Sequence, residues 1–245
     1  MKNKKFCGFT LSEILVTMLV LGTLFLIYLP TLMNSHEKNT IQAGLIDAFK
    51  EFNKVIFNYT SSEAKRCKGN LTCTNTFSSD GQPAHEFSSE FQGVPFVGKD
   101  CWGGITIASD IDKRGSEIDL SGYECFIDGK NRIWAFYNFK TDCATNLYNN
   151  AASRKNHKLE KSCGYLIVDL NGKKTPNTFG RDVFVYIITD AVSAYLYPVG
   201  GSLAQNSFGG VGVWQGTCGD DDGSKEGRTC AGRIMEDGWK VRYIK

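Results

Sequence analysis

The sequence predicts an α+β fold: a long N-terminal helix, half membrane-spanning and half amphipathic, packed on an antiparallel β-sheet head with disulfide-bonded loops. Two observations carry this. The first sixty residues hold an unbroken apolar run that passes into apolar positions at three- and four-residue steps. The remainder holds short segments rich in β-branched and aromatic residues separated by turn signals, so that a helix is followed by a run of strands.

The helix begins in the stretch Lys2 to Pro30. A basic head with Lys2, Lys4 and Lys5 leads to Gly8, and between Phe9 and Leu29 the only charged side chain is Glu13. Those 21 residues are long enough to cross a bilayer. The lysines ahead of them place the N-terminus in the cytoplasm and everything beyond Pro30 outside. No A-x-A-like cleavage site follows the apolar run, which sets the segment apart from an ordinary secretory signal.

The residues Gly8-Phe9-Thr10-Leu11-Ser12-Glu13, with the basic leader before and the apolar run after them, closely resemble the recognition sequence of prepilins. These are the precursors of type IV pilins and of type II secretion pseudopilins. The resemblance implies cleavage after Gly8 by a prepilin peptidase that also methylates the new amine of Phe9. It further implies residue 1–8 as leader, 9–60 as the transmembrane and assembly helix and 61–245 as a globular pilin-like head. A carboxylate inside a spanning helix is costly and marks function. In the family, the glutamate of an incoming subunit is neutralised by a neighbour's free N-terminal amine, which assigns assembly roles to Glu13 and Phe9. The alternative for Glu13 is simple hydration in the interfacial layer. Gly22 and Pro30 each weaken a helix, and they fall at positions similar to the helix-breaking pair of type IV pilins.

Beyond Pro30, Ile41, Leu45, Ile46, Phe49, Phe52, Val55, Ile56 and Tyr59 recur at helical spacing, with Glu37, Lys38, Asp47, Lys50, Glu51 and Lys54 between them. One helix from Phe9 to about Tyr59 is expected, its apolar stripe under a sheet. The polar face mixes both signs and so differs from a Lys-rich membrane-surface helix.

Nine cysteines become eight on removal of the leader, which holds Cys7. Cys67, Cys73, Cys101, Cys125, Cys143, Cys163, Cys218 and Cys230 then suit four disulfides in an oxidising compartment, although eight cysteines allow about 105 pairings. Cys67 with Cys73 and Cys218 with Cys230 are the favoured pairs, because each closes a short polar loop. Zinc is disfavoured, since there is no C-x-x-C and His36, His85 and His157 are scattered.

From Ser61 to about Lys99 the chain is polar and aperiodic, which reads as a long irregular connection. Gly122–Ile127 and Arg132–Tyr137 flank Asp128-Gly129-Lys130-Asn131 as a β-hairpin. Tyr165–Asp169, Phe184–Ile188 and Ala194–Tyr197 follow as strands. The segment Asp169 to Asp182 carries an Asn171-Gly172 turn and Pro176, so Asp169, Asn171, Asn177 and Asp182 can converge as oxygen ligands. Some pseudopilins bind calcium in a loop of the head, and that resemblance makes calcium the one possible cofactor. The competing reading is a tight loop whose Asp and Asn side chains bond their own backbone. Asp220-Asp221-Asp222 reads as a solvated loop tip. Trp239, Val241 and Tyr243 alternate and predict a closing strand.

Enzyme motifs such as H-E-x-x-H, G-x-S-x-G and the phosphate loop are missing, and Gly209-Gly-Val-Gly212 lacks the spacing of a dinucleotide turn. The chain therefore reads as a structural protein, with no catalytic residues. Removing three leader lysines from 28 basic residues leaves 25 against 26 acidic ones. That balance argues against nucleic acid as a partner. The reading is a single-pass inner-membrane precursor, matured by prepilin peptidase, that joins identical or related pilin subunits through an inner-membrane assembly platform in an extracytoplasmic filament. The alternative is a membrane-tethered adhesive or ligand-binding domain that uses the leader for export and never polymerises.

Overall fold

The computed structural model describes residues 10–63, 65–91, 96–104, 106–111, 120, 122–147, 158–191, 195–200, 218–219 and 227–244. Helix α1 runs without interruption from Leu11 to Ser61. Its lower half is exposed throughout, with Leu15, Leu19, Phe25 and Leu26 each more than 60 % accessible. The upper half buries Ile41, Leu45, Ala48, Phe52, Val55, Ile56 and Tyr59, the stripe expected from the periodicity.

That stripe lies on a six-stranded antiparallel sheet. The strands are β1 (Phe96–Gly98), β3 (Glu124–Ile127), β4 (Ile133–Asn138), β5 (Ser162–Asp169), β7 (Val183–Thr189) and β8 (Leu196–Pro198), in that spatial order. Strands β2 (Ile107–Ala108) and β6 (Asn177–Thr178) form a separate parallel pair. The expected hairpin is present as β3 and β4, with Cys125 opposite Ala135 and Phe126 opposite Trp134. Register then sets the core: Trp134 lies opposite Val168, Phe136 opposite Leu166, and Leu166 opposite Tyr186. All of these face α1, because alternate residues of a strand share a face. Phe52 stacks on Trp134 at 5.4 Å between centroids and meets Phe136 at 5.7 Å. On the opposite face Ile133, Ala135, Ile167, Val185 and Ile187 are covered by Trp102, Ile107, Leu147, Leu159 and Phe179. Burial on both faces explains why β5 and β7 are apolar runs rather than alternating strands.

The structure differs from the sequence reading in three places. The connection after Ser61 is not wholly irregular: Pro83–Ser88 forms helix α2, with Pro83 in its first turn, and Thr72–Thr74 and Ser89–Phe91 form 3-10 turns. Phe77, Phe87 and Phe91 anchor it, and Phe87 packs edge-on to both Phe52 and Tyr59. Six helical residues are too few to display a period. The strand predicted over Ala194–Tyr197, of which Ala194 lies outside the described residues, is found at Leu196–Pro198. The closing strand is not formed. Helix α3 (Cys230–Glu236) packs beside β8 instead, with Gly232 N donating to Val199 O at 2.8 Å. Gly238 and Trp239 then take left-handed φ of 69° and 64°, which turns the chain out of an extended path. Val241, Tyr243 and Ile244 are all buried, so the alternation ends one residue from the last described position.

An ion-pair cluster locks α1 to the hairpin. Arg132 is only 4 % accessible and bonds Asp128 through Nε at 2.6 Å, Asp47 through Nη1 at 2.9 Å and Glu51 through Nη2. Asp128 also accepts from Trp134 Nε1 at 2.8 Å and from the backbone of Lys130 and Arg132. Lys130 bridges Asp47 and Glu51 from the solvent side at 2.7 and 2.9 Å. Removing one partner of a buried pair costs about 3–5 kcal/mol, whereas an exposed pair contributes about 0–1 kcal/mol. Arg132→Leu is therefore expected to lower unfolding stability by about 3–5 kcal/mol. Lys130→Met is expected to lower it by less than about 1 kcal/mol. Urea unfolding of the oxidised protein, followed by tryptophan fluorescence, separates the two.

Candidate functional site

Two regions hold the residues singled out by sequence. The first is the start of α1. Gly8, Phe9 and Cys7 lie outside the described residues, and Thr10 is the helix N-cap. Glu13 sits at the third helical position and closes a reciprocal capping box. Its Oε2 accepts from Thr10 N and from Thr10 Oγ1, each at 2.8 Å, while Glu13 N donates to Thr10 Oγ1 at 3.3 Å. Free N–H groups at a helix start are otherwise orphaned, so the same carboxylate that marks the motif also starts the helix. The T-x-x-E signature of this cap is written in Thr10-Leu11-Ser12-Glu13, and the motif reading passed over it. Gly22 and Pro30 lie inside the continuous helix, and apart from the helix's own nearby backbone no described residue comes within 4 Å of the space a Cβ on Gly22 would fill. By length and composition α1 can cross a membrane once, and none of its most apolar window is buried in the protein.

The eight cysteines outside Cys7 pair as Cys67–Cys73, Cys101–Cys125, Cys143–Cys163 and Cys218–Cys230. The two short-loop pairs favoured from sequence are both among them. Asp220, Asp221 and Asp222, and the Gly209–Gly212 segment, lie outside the described residues.

The second region is the excursion between β5 and β7. It does bring Asp169, Asn171, Asn177 and Asp182 together. Asp169 Oδ1 accepts from the backbone N–H of Asn171 and Gly172 at 3.1 and 2.9 Å, and its Oδ2 accepts from Trp102 Nε1 at 2.9 Å. Asp182 Oδ1 accepts from Thr178 N at 2.6 Å and Oδ2 from Asn171 Nδ2 at 2.9 Å. Asn177 Nδ2 donates to Gly172 O at 3.1 Å. Gly172 has φ 66°, and a Cβ there would lie 2.0 Å from Asn131 O, so the Asn-Gly turn needs its glycine. Every carboxylate oxygen is thus committed to an N–H donor, the arrangement of a loop that bonds its own backbone. Among the described residues no group of three or more His, Cys, Asp or Glu is placed to hold a metal. Orphaned acceptors remain beside it: Asn171 Oδ1, Asn177 Oδ1 and Thr178 Oγ1 are buried and receive no hydrogen bond.

Two carboxylates in this setting are expensive to ionise. Burial pushes Asp169 up to about 7, reinforced by the charge of Asp182 and opposed by the Trp102 hydrogen bond. Burial likewise raises Asp182 to about 6. The folded state therefore binds these protons more tightly than the unfolded chain, whose carboxylates titrate near about 4. The stabilisation is fully present below that value and is lost as pH rises through about 6 and about 7. In calcium-free buffer the melting temperature is expected to rise as pH falls from 8 to 5, measured by circular dichroism at fixed ionic strength. A flat or falling profile over that window contradicts the account.

No curated protein and no solved structure matches the chain. Residues 3–29 match the family model of the prokaryotic N-terminal methylation motif, a segment that contains Gly8, Phe9, the Thr10–Glu13 cap and the apolar half of α1. The chain thus carries the prepilin signature of type IV pilins and pseudopilins.

Proposed function

We propose that this protein is a structural subunit of a pilus-like filament, of the type II secretion pseudopilus or type IV pilus kind. The observation that carries the reading is the continuity of the methylation motif with an exposed apolar helix that leads directly into a disulfide-bonded head. The family of that motif is structural rather than catalytic. A prepilin peptidase cuts between Gly8 and Phe9 and methylates the Phe9 amine, while the head stands outside the inner membrane. Subunits are then drawn from the membrane by the assembly platform and packed through their α1 helices.

The lower half of α1 supplies the driving force, because its apolar surface has no partner among the described residues and is covered either by lipid or by other subunits. Glu13 supplies register. In the single subunit its carboxylate is held by Thr10, and in the filament it pairs with the Phe9 amine of a neighbour, exchanging one set of charge-assisted hydrogen bonds for another. The cut and the glutamate therefore serve one step.

Glu13→Ala is expected to leave cleavage and membrane insertion intact and to abolish filament assembly. Gly8→Val is expected to leave the leader attached. Intact mass without reductant, N-terminal sequencing and shear-fraction blotting read these outcomes. A Glu13→Ala variant that assembles as the wild type would overturn the register role of Glu13, and a chain that starts at methylated Phe9 yet yields no sheared filaments would overturn the filament role. A tethered, non-polymerising domain gives no sheared filaments with either sequence.

A further inference from the structure

The bridge between Cys67 and Cys73 differs from the other three in access. Cys73 is exposed, whereas Cys67 is 6 % accessible and the cysteines of the other bridges are at most 5 % accessible. Exchange between a thiol and a disulfide depends on which sulfur an incoming thiolate can reach, and it speeds up as the departing thiol becomes more acidic. Access therefore makes Cys73 the attacked sulfur and Cys67 the leaving one.

The charges around the bridge suit that direction. Cys67 lies between Arg66 and Lys68 in the chain. Neither is ion-paired to a carboxylate among the described residues, and Arg66 Nε donates to the Glu63 carbonyl at 3.2 Å. Two nearby acids are already engaged. Glu86 holds Lys65 at 3.1 Å, and the Asp190 oxygens accept from Leu71 N at 2.7 Å and from Thr72 Oγ1 at 2.6 Å. That leaves Arg66 and Lys68 against the exposed Glu63. Positive charge beside a cysteine favours its thiolate, so the two cations assist the departure of Cys67.

The loop does not depend on the bridge for its place. Leu71 is fully buried, Cys67 N donates to Thr60 O at 3.0 Å, and Tyr195 Oη donates to Gly69 O at 2.9 Å. Together with the two bonds to Asp190, these contacts hold residues 67–73 against the ends of α1 and β7 once the bridge is open. Exchange is thus a local event that leaves the core standing.

We infer that Cys73 is a thiolation site, at which the head takes up an incoming thiol reversibly as a mixed disulfide. The thiolate sulfur bonds to Cys73 Sγ, the bond between Cys67 and Cys73 breaks, and Cys67 Sγ leaves with the electron pair as a thiolate. Return attack by Cys67 expels the thiol and restores the bridge. Attack by a second thiol on the mixed disulfide instead leaves both cysteines reduced and two thiols oxidised to one disulfide. The site stands whether or not the subunit polymerises.

The experiment uses the full, oxidised chain in detergent micelles, with Cys7 blocked by N-ethylmaleimide wherever the leader is retained. Reduced glutathione is added at mildly alkaline pH, free thiols are trapped with iodoacetamide at early times, and the sites are read by peptide mass mapping. Glutathione on Cys73 with the trap on Cys67 is expected, formed at least about tenfold faster than any other bridge opens, at unchanged tryptophan fluorescence. A thioredoxin-class protein lacking its resolving cysteine separates the sources of the thiol. Its capture on Cys73 admits protein dithiols, and reaction with glutathione alone assigns the site to small thiols. Arg66→Gln combined with Lys68→Gln is expected to slow exchange about three- to tenfold at unchanged melting temperature, and an unchanged rate overturns the leaving-group account. Glutathione found first on Cys67 or on a cysteine of another bridge, or reaction only in denaturant, overturns the site.

Discussion

One helix carries two kinds of surface. The lower half of α1 presents apolar side chains on all sides, and its upper half presents a single apolar stripe between mixed charges. Burial of that stripe is what joins helix to sheet. Phe52 lies at its centre, against Trp134 and Phe136 from the sheet, Phe87 from α2 and Phe91 from the 3-10 turn that follows it. The connection after α1 folds back to close this aromatic cluster, and β3, β4, β5 and β7 are held in register by the residues that face it. The head cannot form its core without the helix, so the element long and apolar enough to cross a membrane is also the central element of the head.

The charged residues of α1 are distributed to the same end. Asp47 and Glu51 are one turn apart and converge on Arg132, a buried cation whose remaining partner, Asp128, is fixed by the hairpin turn and by Trp134. Apolar packing is tolerant of small slides along a helix, whereas a guanidinium that bonds three carboxylates has one position. The cluster therefore fixes where along α1 the sheet sits, and with it the length of apolar helix left below the head.

Long or chemically distinctive elements were legible in the sequence. The apolar run and the three- and four-residue steps from Ile41 to Tyr59 gave α1, Asp128-Gly129 gave the hairpin, and Asn171-Gly172 gave the turn that gathers Asp169 and Asp182. The short pieces were not legible. Helix α2 is anchored by phenylalanines spaced for contact with Phe52 and not by any period of its own, and β2 and β6 have two residues each. At the C-terminus, three alternating aromatic and aliphatic residues resemble a strand, yet the left-handed Trp239 and the burial of Ile244 depend on contacts that the local sequence does not encode. The capping role of Thr10 was readable from T-x-x-E and was hidden behind the more specific motif that shares Glu13. Which cysteine meets Cys101 was open until the sheet placed Cys125 beside it.

The disulfides also decide how the head answers a pull. In the proposed filament a subunit is tensioned along its chain, and an unlinked domain that gives way lengthens by about 3.3–3.6 Å for every residue released. Here the bridges close segments of 6, 24, 20 and 12 residues. Those segments cannot add to the contour length unless sulfur–sulfur bonds break. The head is accordingly a short-leash body: even when its sheet is sheared open, much of its backbone stays out of the line of force, and the slack it can release is capped by covalent chemistry rather than by folding energy.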